Sequence, residues 1–156
     1  MTLYHGSTID IPRIDLSLSK PNKDFGRAFY LSDDRQQALE MAQFRAEFEE
    51  TEPVVNVYEF DEDLFQQFRY KRFEAYTEEW AHFVYDHRTE PHGRTLHDYD
   101  IVYGPIADDG VTYQLRRYEG GVISLQRLVE ELKYAKGITF QYYFGTERAL
   151  KLLKRL

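Results

Sequence analysis

Short runs of β-branched and aromatic residues recur along this chain at uneven intervals, and that unevenness constrains the fold more than any other feature. AFYLS (28–32), VVNVYEF (54–60), DIVYG (100–104) and ITFQYYF (138–144) each have the length and composition of a strand. Thr2–Ser7 reads as a further short strand. Helical patterns fall between them. Asp33 with Gln36 makes a capping box ahead of a helix with Ala38, Met41 and Ala42 on one face. Thr77 caps a second helix with Trp80, Phe83 and Val84 together, and Ser124 opens a third through Leu125, Leu128, Val129 and Leu132, stopped by Gly137. Thr146 caps a terminal helix whose inward face is Ala149, Leu152, Leu153 and Leu156. Ser19–Lys23 reads as a loop and Asp109-Gly110 as a turn. Strands and helices never settle into regular βαβ alternation, so the pattern predicts an α+β fold with a largely antiparallel or split sheet.

The chain's 156 residues show no repeat and no Gly/Ser linker, which predicts a single domain over 1–156. Cysteine is absent, so disulfides, thiolate zinc sites and cysteine nucleophiles are excluded. A formal charge of −7 argues against sequence-independent binding to duplex nucleic acid. The opening MTLYHGSTID lacks the basic-then-apolar pattern of a signal peptide, and no apolar run reaches membrane-spanning length. The expectation is therefore a cytoplasmic protein without membrane contact.

Phosphate-loop, dinucleotide-binding and His-Glu-x-x-His patterns are all missing. Of the five histidines, His82, His87, His92 and His97 cluster in sequence but share no face that would gather a metal, and a solvated surface is the expectation for them. His5 differs, since it ends a strand directly before Gly6 and Ser7, where a missing side chain lets a ligand approach the backbone. Lys23-Asp24-Phe25-Gly26-Arg27-Ala28-Phe29-Tyr30 runs from a basic, glycine-containing loop into a strand. Gln141 places an amide inside the strong strand ITFQYYF, where it must find partners or face a cleft.

Tyr4-His5-Gly6-Ser7, then Phe25-Gly26-Arg27-Ala28-Phe29-Tyr30, then a polar residue leading a late aromatic strand, resemble the ADP-ribosyltransferase superfamily. The likeness is to its His-Tyr-Glu branch, which includes diphtheria toxin and the poly(ADP-ribose) polymerases. Further segments, Gln37-Ala38, Glu78-Glu79-Trp80, HDYDIVYGPIADD (97–109) and QYYFGTERAL (141–150), resemble a bacterial uncharacterised family assigned to that superfamily.

The resemblance implies the superfamily's split antiparallel core and an NAD+-dependent transfer of single ADP-ribose units to a macromolecular acceptor, with nicotinamide released and no metal required. It implies catalytic roles for His5, Tyr30 and Gln141, and cofactor contacts from Gly6, Ser7, Lys23, Phe25, Gly26, Arg27 and Phe29. His5 would bond a ribose hydroxyl, Tyr30 would pack on the nicotinamide ring, and Lys20, Lys23 and Arg27 would offset the pyrophosphate charge. Gln141 stands where the branch has glutamate; an amide can bond the ribose 2′-hydroxyl but brings no negative charge. Glu147, six residues on, is expected to serve the terminal helix dipole. The bacterial family further implies a cognate inhibitor, in the style of a toxin–antitoxin pair. Three other readings stay open: a non-catalytic NAD+ or ADP-ribose binding module, a protein-interaction domain, and an NAD+-dependent RNA 2′-phosphotransferase, which −7 fits poorly.

Overall fold

In this computed structural model, which describes residues 1–156, the late aromatic strand β6 (Phe140–Phe144) organises the chain. Its side chains alternate, and both faces are apolar, so both need covering. β2 (Phe29–Leu31) pairs antiparallel with one edge of it, setting Tyr30 opposite Tyr143. β5 (Ile101–Pro105) pairs antiparallel with the other, and β4 (Tyr70–Arg72) adds to β5 in parallel. One face of this four-stranded sheet, carrying Val102 and Tyr143, packs on α2 (Glu78–Thr89), α3 (Asp109–Glu119) and α4 (Leu125–Leu132) through Trp80, Val84, Val111, Leu115, Leu128 and Leu132. The opposite face, carrying Ile101, Tyr142 and Phe144, packs against a second sheet through Leu3 and Tyr58.

That second sheet has the order β1 (Thr2–Ser7), β3 (Val54–Glu59), β7 (Lys154–Arg155). α1 (Arg35–Glu49) lies on its outer face and buries Ala38, Ala42 and Ala46 there. The two sheets meet at a single bridge, Tyr4 with Ser32, where each backbone N–H donates to the other's carbonyl at 2.7 and 2.8 Å. The fold is α+β, with two largely antiparallel sheets.

Local details depart from expectation for identifiable reasons. Asp34, not Asp33, caps α1, because its carboxylate reaches the amides of Gln36 and Gln37. The buried face of α1 is the alanine row at four-residue spacing, and Met41 stands exposed beside Phe44 and Phe48. Asp109-Gly110 opens α3 rather than a turn, because Asp108 accepts from the Val111 amide and nucleates the helix. The terminal helix α5 (Glu147–Leu150) lasts one turn, after which the chain becomes β7 and completes the β3 edge. An amphipathic leucine pattern cannot distinguish those outcomes, since a free strand edge offers Leu156 N–H a carbonyl at Val57. His87 is buried and His97 half-buried: their rings lie 5.4 Å apart, and only His82 and His92 are exposed.

Candidate active site at the seam between the sheets

The seam begins where β1 and β2 diverge. Antiparallel pairing alternates, and Met1 exchanges bonds with Phe60, so Leu3, His5 and Ser7 direct their backbone groups at β3. Tyr4 and Gly6 direct theirs the other way. Tyr4 finds Ser32; Gly6 lies beyond the bridge, where β2 has turned aside. Its N–H and C=O therefore face the seam without a backbone partner, and the residue itself is buried.

Gly6 is glycine for a packing reason as well. A Cβ here would lie 2.0 Å from the Ala38 carbonyl oxygen and 2.9 Å from the Ala42 nitrogen, on a hydrogen bond within α1. The missing side chain admits a helix on one side, and the free peptide groups lie in the plane of the sheet.

His5 crosses the seam. Its Nδ1 donates to the Tyr30 carbonyl at 2.6 Å, and its ring stacks on Phe29 at 4.1 Å. A carbonyl only accepts, so Nδ1 carries the proton and Nε2 keeps a lone pair. Desolvation lowers the His5 pKa to about 4, outweighing the Tyr30 bond, with Arg45 and Lys23 adding repulsion. The imidazole is thus neutral at pH 7 with one fixed acceptor.

Tyr30 closes the loop before β2. Its hydroxyl donates to the Gly26 carbonyl at 2.6 Å and accepts from the Phe25 amide at 2.9 Å. Burial pushes this phenol well above its usual pKa, so it remains a neutral strut. Gly26 holds a φ of +105°, which a side chain resists, and a Cβ there would strike Thr95. Phe25 is fully buried against Phe73 and Phe83, so only its backbone is available; its carbonyl accepts from His97 Nε2 at 2.7 Å. Phe29 and Ser7 are likewise buried.

Gln141 lies on β6 opposite Gly104 and on the same face as Tyr143 and Tyr30. Its Nε2 donates to Asp24 Oδ2 at 3.2 Å, while Asp24 Oδ1 accepts from Arg88 Nε at 2.8 Å. The structure therefore joins His5 to Tyr30 directly, and Gln141 to the same loop through Asp24. His5 and Gln141 stand on opposite faces, on strands separated by β2, and make no contact.

Two cations border it. Lys23 and Arg45 both lie close enough to lower the His5 pKa, and neither forms an ion pair. Desolvation lowers the Lys23 pKa first, Asp24 opposes that, and Lys20, Arg45 and Arg88 add to it. Arg27 is committed elsewhere, donating to the Ser19 carbonyl at 2.9 Å. Asp24, Arg45 and Arg88 escape sequence reasoning: their neighbours are set by loop and helix packing, and only the Lys23-Asp24 juxtaposition hints at one of them.

Other polar groups prove architectural. Asp100 accepts from the Arg69 amide at 3.0 Å and the Thr146 hydroxyl at 2.7 Å, tying β5 to α5. His87 Nδ1 donates to the Phe83 carbonyl at 2.7 Å and its Nε2 accepts from Leu96 N–H at 2.9 Å. Glu147 occupies the first turn of α5. A cavity of about 390 Å³ is lined by Glu62, Asp63, Phe65, Gln66, Tyr70 and Arg72, and one of about 190 Å³ lies beside Glu147, Arg13 and Arg155. Neither includes His5, Tyr30 or Gln141. The first is led by two carboxylates and suits an anionic ligand poorly, so convergent polar groups rather than volume locate the site. No helix is long and apolar enough to cross a membrane.

Residues 1–155 match the model of a family described as Protein of unknown function (DUF3990). No curated protein and no solved structure matches the chain.

Proposed function

We propose, for a chain that belongs to the DUF3990 family, an enzyme that transfers a single ADP-ribose unit from NAD+ to a macromolecular acceptor and releases nicotinamide. The observation that carries this reading is the free Gly6 N–H and C=O at the seam, flanked by the fixed acceptor of His5. A carboxamide has one acceptor and one donor edge, and nicotinamide ends in a carboxamide. That pair of backbone groups is its complement.

The remaining groups fit the rest of NAD+. His5 Nε2 accepts a ribose hydroxyl. Gln141, on β6, offers its amide to the 2′-hydroxyl of the nicotinamide ribose. Lys23 and Arg45, neither of them in an ion pair, offset the pyrophosphate in an otherwise acidic chain. Tyr30, held by Gly26 and Phe25, supplies an aromatic wall.

In the reaction, the C1′–N1 bond breaks and its electron pair leaves with nicotinamide. The ribose passes through an oxocarbenium-like transition state. An oxygen or nitrogen of the acceptor then bonds C1′ and loses its proton. The protein's part is to hold the ribose and keep nicotinamide in line for departure.

The test is incubation of the purified protein with NAD+ and a cell lysate, following nicotinamide release and ADP-ribose incorporation. Release by the wild type, lost in folded His5→Ala and Gln141→Ala, supports the reading, and the labelled species identifies the acceptor class. NAD+ that raises heat stability without any release points to a binding module instead. An inhibitor partner, if one is encoded with this chain, would suppress the release.

A further inference from the structure

We infer that Asp24 is a positioning residue that makes Gln141 present an oxygen, as a glutamate would, at the ribose-binding edge. The inference rests on the ADP-ribosyl transfer reading above and concerns the position where an amide stands in place of a carboxylate.

An amide side chain has two faces of opposite polarity, and rotation by half a turn exchanges them. A free glutamine would offer a hydroxyl either its Oε1 or its Nε2. Asp24 removes that choice. Its Oδ2 only accepts, so the group 3.2 Å away must be the Gln141 NH₂. Oε1 then points away from Asp24.

Asp24 is itself fixed. Arg88, from α2, donates to Oδ1 through Nε at 2.8 Å, and its Nη2 lies 2.8 Å from the same oxygen as an ion pair. Arg88 also reaches the Thr112 hydroxyl at 3.4 Å. The carboxylate side chain is only 15% exposed and the guanidinium 29%, so the pair is largely shielded from solvent. The loop backbone on the far side is pinned by the Tyr30 hydroxyl. Helix, loop and strand thus form one chain of donors and acceptors, Arg88 to Asp24 to Gln141, ending in a directed oxygen. A carboxylate bonded to the amide N–H also increases the negative character of that oxygen.

The test uses swapped groups. In Asp24→Asn, Arg88 still donates to the one remaining side-chain oxygen, so the introduced amide turns its NH₂ toward Gln141. Gln141 must then flip, placing its own NH₂ at the ribose. Nicotinamide release is expected to fall about 100-fold, while circular dichroism stays unchanged. The double variant Asp24→Asn/Gln141→Glu lets the introduced NH₂ bond one carboxylate oxygen and leaves the other facing the ribose. It should recover to within about tenfold of wild type. A purely structural Asp24 would not be rescued by a change at Gln141. If Asp24→Asn does not fold, Asp24→Ala replaces it; it leaves Gln141 free to present either group rather than forcing the flip, and is expected to show a smaller loss of about tenfold.

Folded Asp24→Asn with wild-type release, or a folded double variant no better than the single, overturns the inference and leaves the transfer reading standing. A wild type that neither releases nicotinamide nor gains heat stability from NAD+ overturns the reading, and the inference with it.

Discussion

Replacing Gly6 with alanine separates packing from ligand access. The new methyl would lie 2.0 Å from the Ala38 oxygen, 2.9 Å from the Ala42 nitrogen and 3.1 Å from the Ala38 carbonyl carbon. These atoms are backbone, joined by a hydrogen bond of α1, so no rotamer change relieves the clash. Ordinary contact begins near 3.4 Å, so α1 must retreat by roughly 1.4 Å along its buried alanine row. Overpacking of that kind costs about 3 kcal/mol. For a chain of this length the cost corresponds to a Tm lower by roughly 6–12 °C. Calorimetry of Gly6→Ala without ligand measures it, and Ala38→Gly added to it should give no recovery, because the clash involves no side chain. A Gly6→Ala protein melting within about 2 °C of wild type would mean that α1 does not sit on Gly6 as described.

Further outcomes follow from the same contacts. His5 has its pKa lowered to about 4, and burial also lowers His87 and His97. The unfolded chain therefore takes up protons first on acidification; the stabilisation is whole above about pH 6.5 and is lost as pH falls toward 4. For His5 alone the loss approaches about 3 kcal/mol, visible as a falling urea midpoint in wild type and a shallower fall in His5→Gln. Tyr30→Phe leaves the Gly26 carbonyl and Phe25 amide without their partner and should cost about 2 kcal/mol by denaturant unfolding. Arg45→Ala should weaken NAD+ binding roughly tenfold in calorimetric titration, and binding should become less salt-sensitive.

The strands are legible because their signal is local: four aromatic and β-branched runs stand out whatever surrounds them. So are the Thr77, Ser124 and Thr146 caps, whose side chains all accept from the amide three residues on. The end of the chain is not, since whether Lys154-Arg155 continues a helix or adds to β3 depends on an edge made by residues about a hundred positions earlier. Gly6 stands out in the sequence for ligand access, and its contact with α1 becomes visible only once the helix is in place. The site shows the same division. His5, Tyr30 and Gln141 can be named from the sequence. Asp24, which orients Gln141 across 117 positions, cannot be, because hydrogen-bond partners at that separation leave no periodic trace. His87 and His97 look solvated in the sequence for a related reason: three of the four backbone groups that occupy their nitrogens belong to the loops around them, the fourth being the Phe83 carbonyl one turn back in α2.

The most direct test of the central claim is a titration of isotope-labelled protein with NAD+, following backbone amide shifts by nuclear magnetic resonance. A saturable downfield shift of the Gly6 amide is expected, accompanied by His5, Lys23 and the Gln141 side-chain NH₂, while residues around the Glu62–Arg72 cavity stay still. An unmoved Gly6 amide at millimolar NAD+, or shifts gathered at that cavity instead, would contradict it.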